Sequence, residues 1–280
     1  MKRAALSVLG VVAAVALFGG ALAPADPLAQ NVTHRFAPAG TPSHLLGTDY
    51  LGRDVLSRLL AGAAPSVLSA LAMVAVGLAL GAFPGVLSAF TSRGSEAVLT
   101  RFTDSLMSLP PIVFAIAVVG LFANGLIAAI FAIGVLLAPR FFRIARAEAL
   151  GYARMQYVEA STLLGASRWW VVRKHVAHKV APTIAVTTAT SAGYAVLAAA
   201  SLGFLGLGVQ APNPTWGGML AADVEYLADD RLAPLWPGLA IALTAWALNA
   251  LADTLRTEAD SEELAAPVED PVPAHVELVA

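Results

Sequence analysis

Apolar stretches of about twenty residues alternate with shorter polar segments along this chain. Six apolar stretches stand out, at about 4–23, 67–90, 103–122, 126–143, 183–206 and 235–255. They are built from Ala, Val, Leu, Ile, Phe and Gly, and none carries a charge at its middle. A hydrocarbon core about 30 Å thick needs about 20 such residues as a helix. Lipid offers backbone groups no water, so each segment must pair its own N–H and C=O groups. The two-residue alternation of a membrane barrel is absent. The predicted fold class is therefore all-α, a polytopic membrane protein of about six transmembrane helices. The fourth stretch is interrupted by Pro139 and runs into Arg140, so its end is the least defined. In the second, Pro84 predicts a bend. Gly77, Gly81 and Gly85 repeat a small-xxx-small spacing there. That spacing suits close approach of another helix and equally suits apolar filler.

The polar segments set the orientation. Residues 140–182 form a basic, helix-compatible segment of about forty residues, holding eight of the chain's seventeen Lys and Arg. Adding Lys2, Arg3, Arg93, Arg101 and Arg256 gives thirteen basic residues on that side. Arg35, Arg53, Arg58 and Arg231 fall on the other. The asymmetry predicts that both termini and the large insert face the cytoplasm. Two external segments remain. Residues 24–66 turn helical from about Asp54 to Leu60, and residues 207–234 carry Pro212, Pro214 and Trp216. The organisation expected is an N-terminal helix with its external segment over 1–66, a transmembrane body over 67–256, and an acidic tail over 257–280. Seven acids and no Lys or Arg follow Arg256, which reads as a solvated, disordered tail. The first stretch also fits a secretory signal ending Ala21-Leu22-Ala23. Its apolar run is longer than usual and Pro24 would follow the cut, which favours a retained helix.

Composition narrows the chemistry. The chain is 58% hydrophobic and only 13% charged, and it has no cysteine. Disulfides and thiolate sites are excluded. No phosphate-cradling Gly-x-x-x-x-Gly-Lys motif, His-Glu-x-x-His or Gly-x-Ser-x-Gly occurs. Ion-coupled carriers place ionisable groups at membrane depth. None lies at a span centre, so a secondary transporter is the lesser alternative, with a non-transport scaffold beside it. His175 and His178 share a helix face, but no third metal ligand is near.

Four stretches, in order along the chain, resemble one family. His44-Leu45-Leu46-Gly47-Thr48-Asp49-Tyr50-Leu51-Gly52-Arg53-Asp54 precedes the second span. Glu159-Ala160-Ser161, then Gly165 and His175, lie in the basic insert. Phe204-Leu205-Gly206-Leu207-Gly208, with Pro212, Pro214, Trp216 and Gly217, forms the outer loop. Pro237-Gly238, Asn249, Asp253 and Arg256 close the match. Together they are similar to the second ("C-type") permease of ABC importers for dipeptides, oligopeptides and nickel. The resemblance implies a type I importer permease fold with a cytoplasmic coupling-helix loop at about 144–182. It implies that this chain is no enzyme and binds no cofactor, ATP and Mg²⁺ residing on two separate ATPase subunits. It implies a second permease subunit and an extracytoplasmic solute-binding protein, with membrane lipid around the bundle and no nucleic acid. The docking loop would comprise Tyr157, Glu159, Ala160, Leu163, Leu164, Gly165 and His175. Leu163 and Leu164 supply apolar knobs, and Gly165 a left-handed end. Asp49, Arg53 and Trp216 would shape an outer gate or meet the binding protein; turn structure is their plainer role. The sequence departs from the family at His178, Ala64 and Gly203, where proline, arginine and serine are usual.

Overall fold

The computed structural model describes residues 2–91, 93–122 and 125–265. Those residues are helical, with two isolated β-bridges and no strand. Five single helices or helix runs are long and apolar enough to cross a membrane. The first is α1, Lys2–Leu22. The second joins the short α2, Val55–Ala61, to α3, Ala63–Ser88. The others are α6 (Gly125–Ala153), the run ending in α9 (Ala177–Phe204) and α11 (Leu235–Ala265).

The third apolar stretch departs from the single span expected over 103–122. It is split between α4, Arg93–Met107, and α5, Pro111–Leu121, bent by 92°. The cause is the proline pair. Pro110 is extended (φ −63°, ψ 120°) and has no N–H to give, so α4 must stop before it and Pro111 opens α5. The fourth stretch departs in the opposite sense. Pro139 does not end α6, which continues through Arg140 to Ala153. Pro139 is fully buried against neighbouring helices, a setting in which membrane helices tolerate the missing bond.

The core is the packing of α3 on α6, where the glycine trio does its work. A Cβ at Gly77 would lie 2.7 Å from Leu137 Cβ, one at Gly81 2.2 Å from the Ala138 carbonyl, and one at Gly85 2.6 Å from the Phe142 carbonyl. Gly134 reciprocates against Val76 at 2.6 Å. Close backbone approach replaces the hydrophobic driving force that lipid cannot supply. The numbers climb together on both helices, so α3 and α6 run parallel. Around this pair, Met73, Ile133, Phe141 and Leu202 are fully buried. The helix α11 packs on α9 and on α1, and Lys2 reaches Glu258 to join the two ends. The acidic segment after Arg256 begins as helix, since α11 runs to Ala265; residues 266–280 lie outside the described residues.

Candidate functional site

The basic insert first continues α6 to Ala153, then folds as a helical hairpin that leads back into α9. After Ala153, a turn at Arg154 and Met155 leads into α7, Gln156–Leu163. Its C-terminus is fixed by two backbone bonds: Ala166 N–H donates to the Ser161 carbonyl and Gly165 N–H to the Thr162 carbonyl, each at 3.0 Å. This six-to-one and five-to-two pattern is a Schellman end, which requires a left-handed residue. Gly165 supplies it with φ +88°. A Cβ there would meet nothing within 4 Å, so backbone conformation rather than space selects glycine.

The return path is equally defined. Ser167 caps α8, Arg168–Val171, by accepting from the Trp170 N–H at 3.2 Å. A π-helical turn over Val172–Val176 joins α8 to α9. Arg168 donates to the Phe90 carbonyl at 2.7 Å, and Trp169 packs edge-on against Phe83, tying the return to the end of α3. A small core of Ala149, Val176 and Val180 lies beneath.

Most of the expected docking residues are on the outside of this hairpin. Glu159 and Ala160 are exposed. Leu163 is 82% exposed and Leu164 89% exposed. Leu164 lines an open groove with Ser161, Gly165, Ala166, Ser167 and Trp170. Tyr157 is half-exposed, and its ring meets His175 at 5.5 Å; the Trp170 ring meets His175 edge-on at 5.2 Å. His175 thus packs against two aromatic rings, with its Nε2 buried and unpartnered. His178 is exposed. Sequence reasoning missed Val158, which at 3% exposure is the buried residue of α7. Its position opposite Ala160, two residues on along the helix, is the available signal. No set of three His, Asp or Glu side chains among the described residues is placed to hold a metal.

The residues expected at an outer gate lie inside a tight block at the start of α3, the end of that helix opposite the hairpin. Asp49 accepts from the backbone N–H of Leu51 (2.9 Å) and Arg53 (3.0 Å). Its other oxygen meets Arg53 Nε at 2.7 Å and Arg58 Nε at 3.5 Å. All three side chains are buried. Asp54 caps α2 through the Ser57 N–H (2.8 Å) and hydroxyl (2.6 Å), and also meets His44 Nδ1 at 2.9 Å. The short helix α10, Trp216–Glu225, closes over the block. Trp216 is buried; its indole donates to the Leu59 carbonyl at 3.0 Å and its backbone N–H to Ser66. Tyr226 stacks on Tyr50 at 4.8 Å. Asp223 faces the same cluster. Burial, reinforced by the negative charge of Asp49 and opposed by Arg58, pushes its carboxyl up to about 7.

The profile of the family described as "Binding-protein-dependent transport system inner membrane component" matches residues 73–260. A di/tripeptide transport system permease protein of Pseudomonas aeruginosa is 37% identical over 250 residues, covering 88% of this chain and 82% of the relative. A glutathione transport system permease protein of Pectobacterium atrosepticum is 34% identical over 250 residues, with the same coverage. Among solved structures, the MetNI methionine ABC transporter in an inward-facing conformation aligns with a TM-score of 0.60 at 18% identity. That alignment covers 72% of this chain and 96% of the other, and at such identity it speaks to fold.

Proposed function

The chain belongs to the family of binding-protein-dependent transport system inner membrane components, and from that premise we propose that it carries peptides into the cell as the C-type permease of an ABC importer. It is a multi-pass membrane protein. A second permease subunit completes the translocation path, because one bundle with so few polar groups at membrane depth makes a poor pore alone. The cargo class follows the relatives named for di/tripeptide and glutathione transport. An extracytoplasmic solute-binding protein delivers that cargo to the face holding α10. Both termini lie in the cytoplasm in this reading, which the distribution of positive charge supports.

Energy enters through the α7 hairpin. Two ATPase subunits, which hold the ATP and Mg²⁺, grip the permease pair, and the cleft of one receives Glu159–Gly165. The observation carrying this reading is the pair Leu163 and Leu164, exposed at 82% and 89% on a helix end closed by the two backbone bonds of a Schellman turn. Large apolar side chains held rigidly in water mark a partner surface. When the ATPase subunits close, the hairpin moves with them, and α6 and α9, which flank it in the chain, carry the motion to the membrane bundle. The test is Gly165→Asp and Glu159→Lys in the assembled transporter. Both are expected to lose the ATPase subunits on co-purification; retention in both, or uptake by this chain reconstituted alone, overturns the reading.

A further inference from the structure

One arginine is not accounted for by the coupling hairpin. Arg140 lies inside α6, about fifteen residues and so about 22 Å from the end at Gly125. Its Nη2 donates to Thr190 Oγ1 at 3.1 Å. Thr190 is on α9, about fourteen residues and so about 21 Å from Phe204. Those two helix ends lie on the same side, since Gly125 approaches the carbonyl of Gly208. The guanidinium is thus held beside α9 about two-thirds of the way across a core about 30 Å thick.

Its surroundings are unlike those of the next arginine on the helix. Arg143 pairs with Asp104 at 2.5 Å. Arg140 has no carboxylate within ion-pairing distance among the described residues. It is exposed, whereas Ala138, Pro139, Phe141 and Phe142 around it are buried. The surface it opens onto continues along one face of α9 with Tyr194 and Leu197, both exposed. The run containing α9 is also the least apolar of the five spans. A cation at this depth is costly against lipid and belongs on a wetted, protein-lined surface.

We propose that Arg140, oriented by Thr190, is an anion-binding subsite on the translocation path, and that its ligand is the terminal carboxylate of a peptide. The assignment rests on the peptide-importer reading above. A guanidinium offers five N–H donors in a planar fork that matches a carboxylate in two-point fashion. Thr190 takes one donor and leaves the remaining edge open. Among the described residues, no acid pairs with it.

The test uses the complete transporter in proteoliposomes, with one dipeptide supplied as the free acid and as its C-terminal amide. Each variant is compared with wild type on the same peptide, so that any preference of the binding protein cancels. Arg140→Gln is expected to raise KM for the free acid roughly ten-fold, the range of a lost charge-assisted hydrogen bond, and to change the amide by less than about two-fold. Arg140→Lys, which keeps the charge and loses the fork, is expected to fall between. Uptake of the amide by the same variant shows that it is folded. Equal loss on both peptides, no loss on either, or release of the second permease from Arg140→Gln overturns the assignment. Wild-type vesicles that import neither peptide would instead sink the importer reading, and this assignment with it.

Discussion

The block around Asp49 and the hairpin around Gly165 are both dense in motif residues, yet they treat their side chains in opposite ways. In the Asp49 block the polar groups face inward. Asp49 serves two backbone N–H groups and two arginines, Asp54 serves a helix start and His44, and Trp216 spends its indole on Leu59. On α7 only Val158 is buried, while Glu159, Leu163 and Leu164 project outward. A motif whose members satisfy one another builds a scaffold. A motif whose backbone is satisfied and whose side chains are not is presented to something else.

Substitutions should separate the two regions by stability, and the largest loss belongs to the Asp49 block. Asp49→Ala leaves Arg53 and Arg58 buried without their carboxylate, a change expected to cost about 3–5 kcal/mol. Thermal unfolding of the detergent-solubilised protein reads it directly; a midpoint within error of wild type would mean that the block is not structural.

Next comes Asp223, whose effect depends on pH. Its carboxyl is raised from 3.8 to about 7 in the folded chain. The folded state therefore holds a proton that the unfolded chain gives up near 3.8, and this contribution is lost as pH rises toward 7. Asp223→Asn stays neutral throughout. Its midpoint should match wild type at the acid end, gain steadily across that window and stay higher above it. Parallel midpoint-against-pH curves for the two proteins would refute the assignment.

Gly165→Ala places a Cβ on a left-handed residue, a cost of about 1–2 kcal/mol confined to the end of α7. Hydrogen exchange at Gly165 and Ala166 amides should quicken while the rest of the chain is unmoved. Smallest of all for stability is Leu163→Asp with Leu164→Asp, expected within about 0.5 kcal/mol of wild type because neither side chain is packed. The same double variant should lose its ATPase partners altogether. Full retention would erase the contrast between the two regions.

Local signals were legible in the sequence and distant ones were not. The helix from Asp54 and the glycine stop at Gly165 follow from residues within one turn of each other, and both are present. The apolar run 103–122 hid a right-angled break, because hydropathy averages over Pro110 and Pro111 while backbone geometry cannot. Pro139 misled in the other direction, since what decides its fate is burial against neighbouring helices. The Asp49–Arg53 pair is four residues apart and so within reach of pattern reading, but its burial depends on α10. The bond from Trp216 to Leu59 spans 157 residues, and no local pattern announces it.

The parallel course of α3 and α6 also settles a matter of parity. Two neighbours pointing the same way demand a return leg between them, and only the kinked α4–α5 pair is available to make it. Counting that pair as one traverse gives an even total, the arithmetic that lets Lys2 and Glu258 meet at a single face. Reporter fusions at the two extremities should accordingly light up in the same compartment.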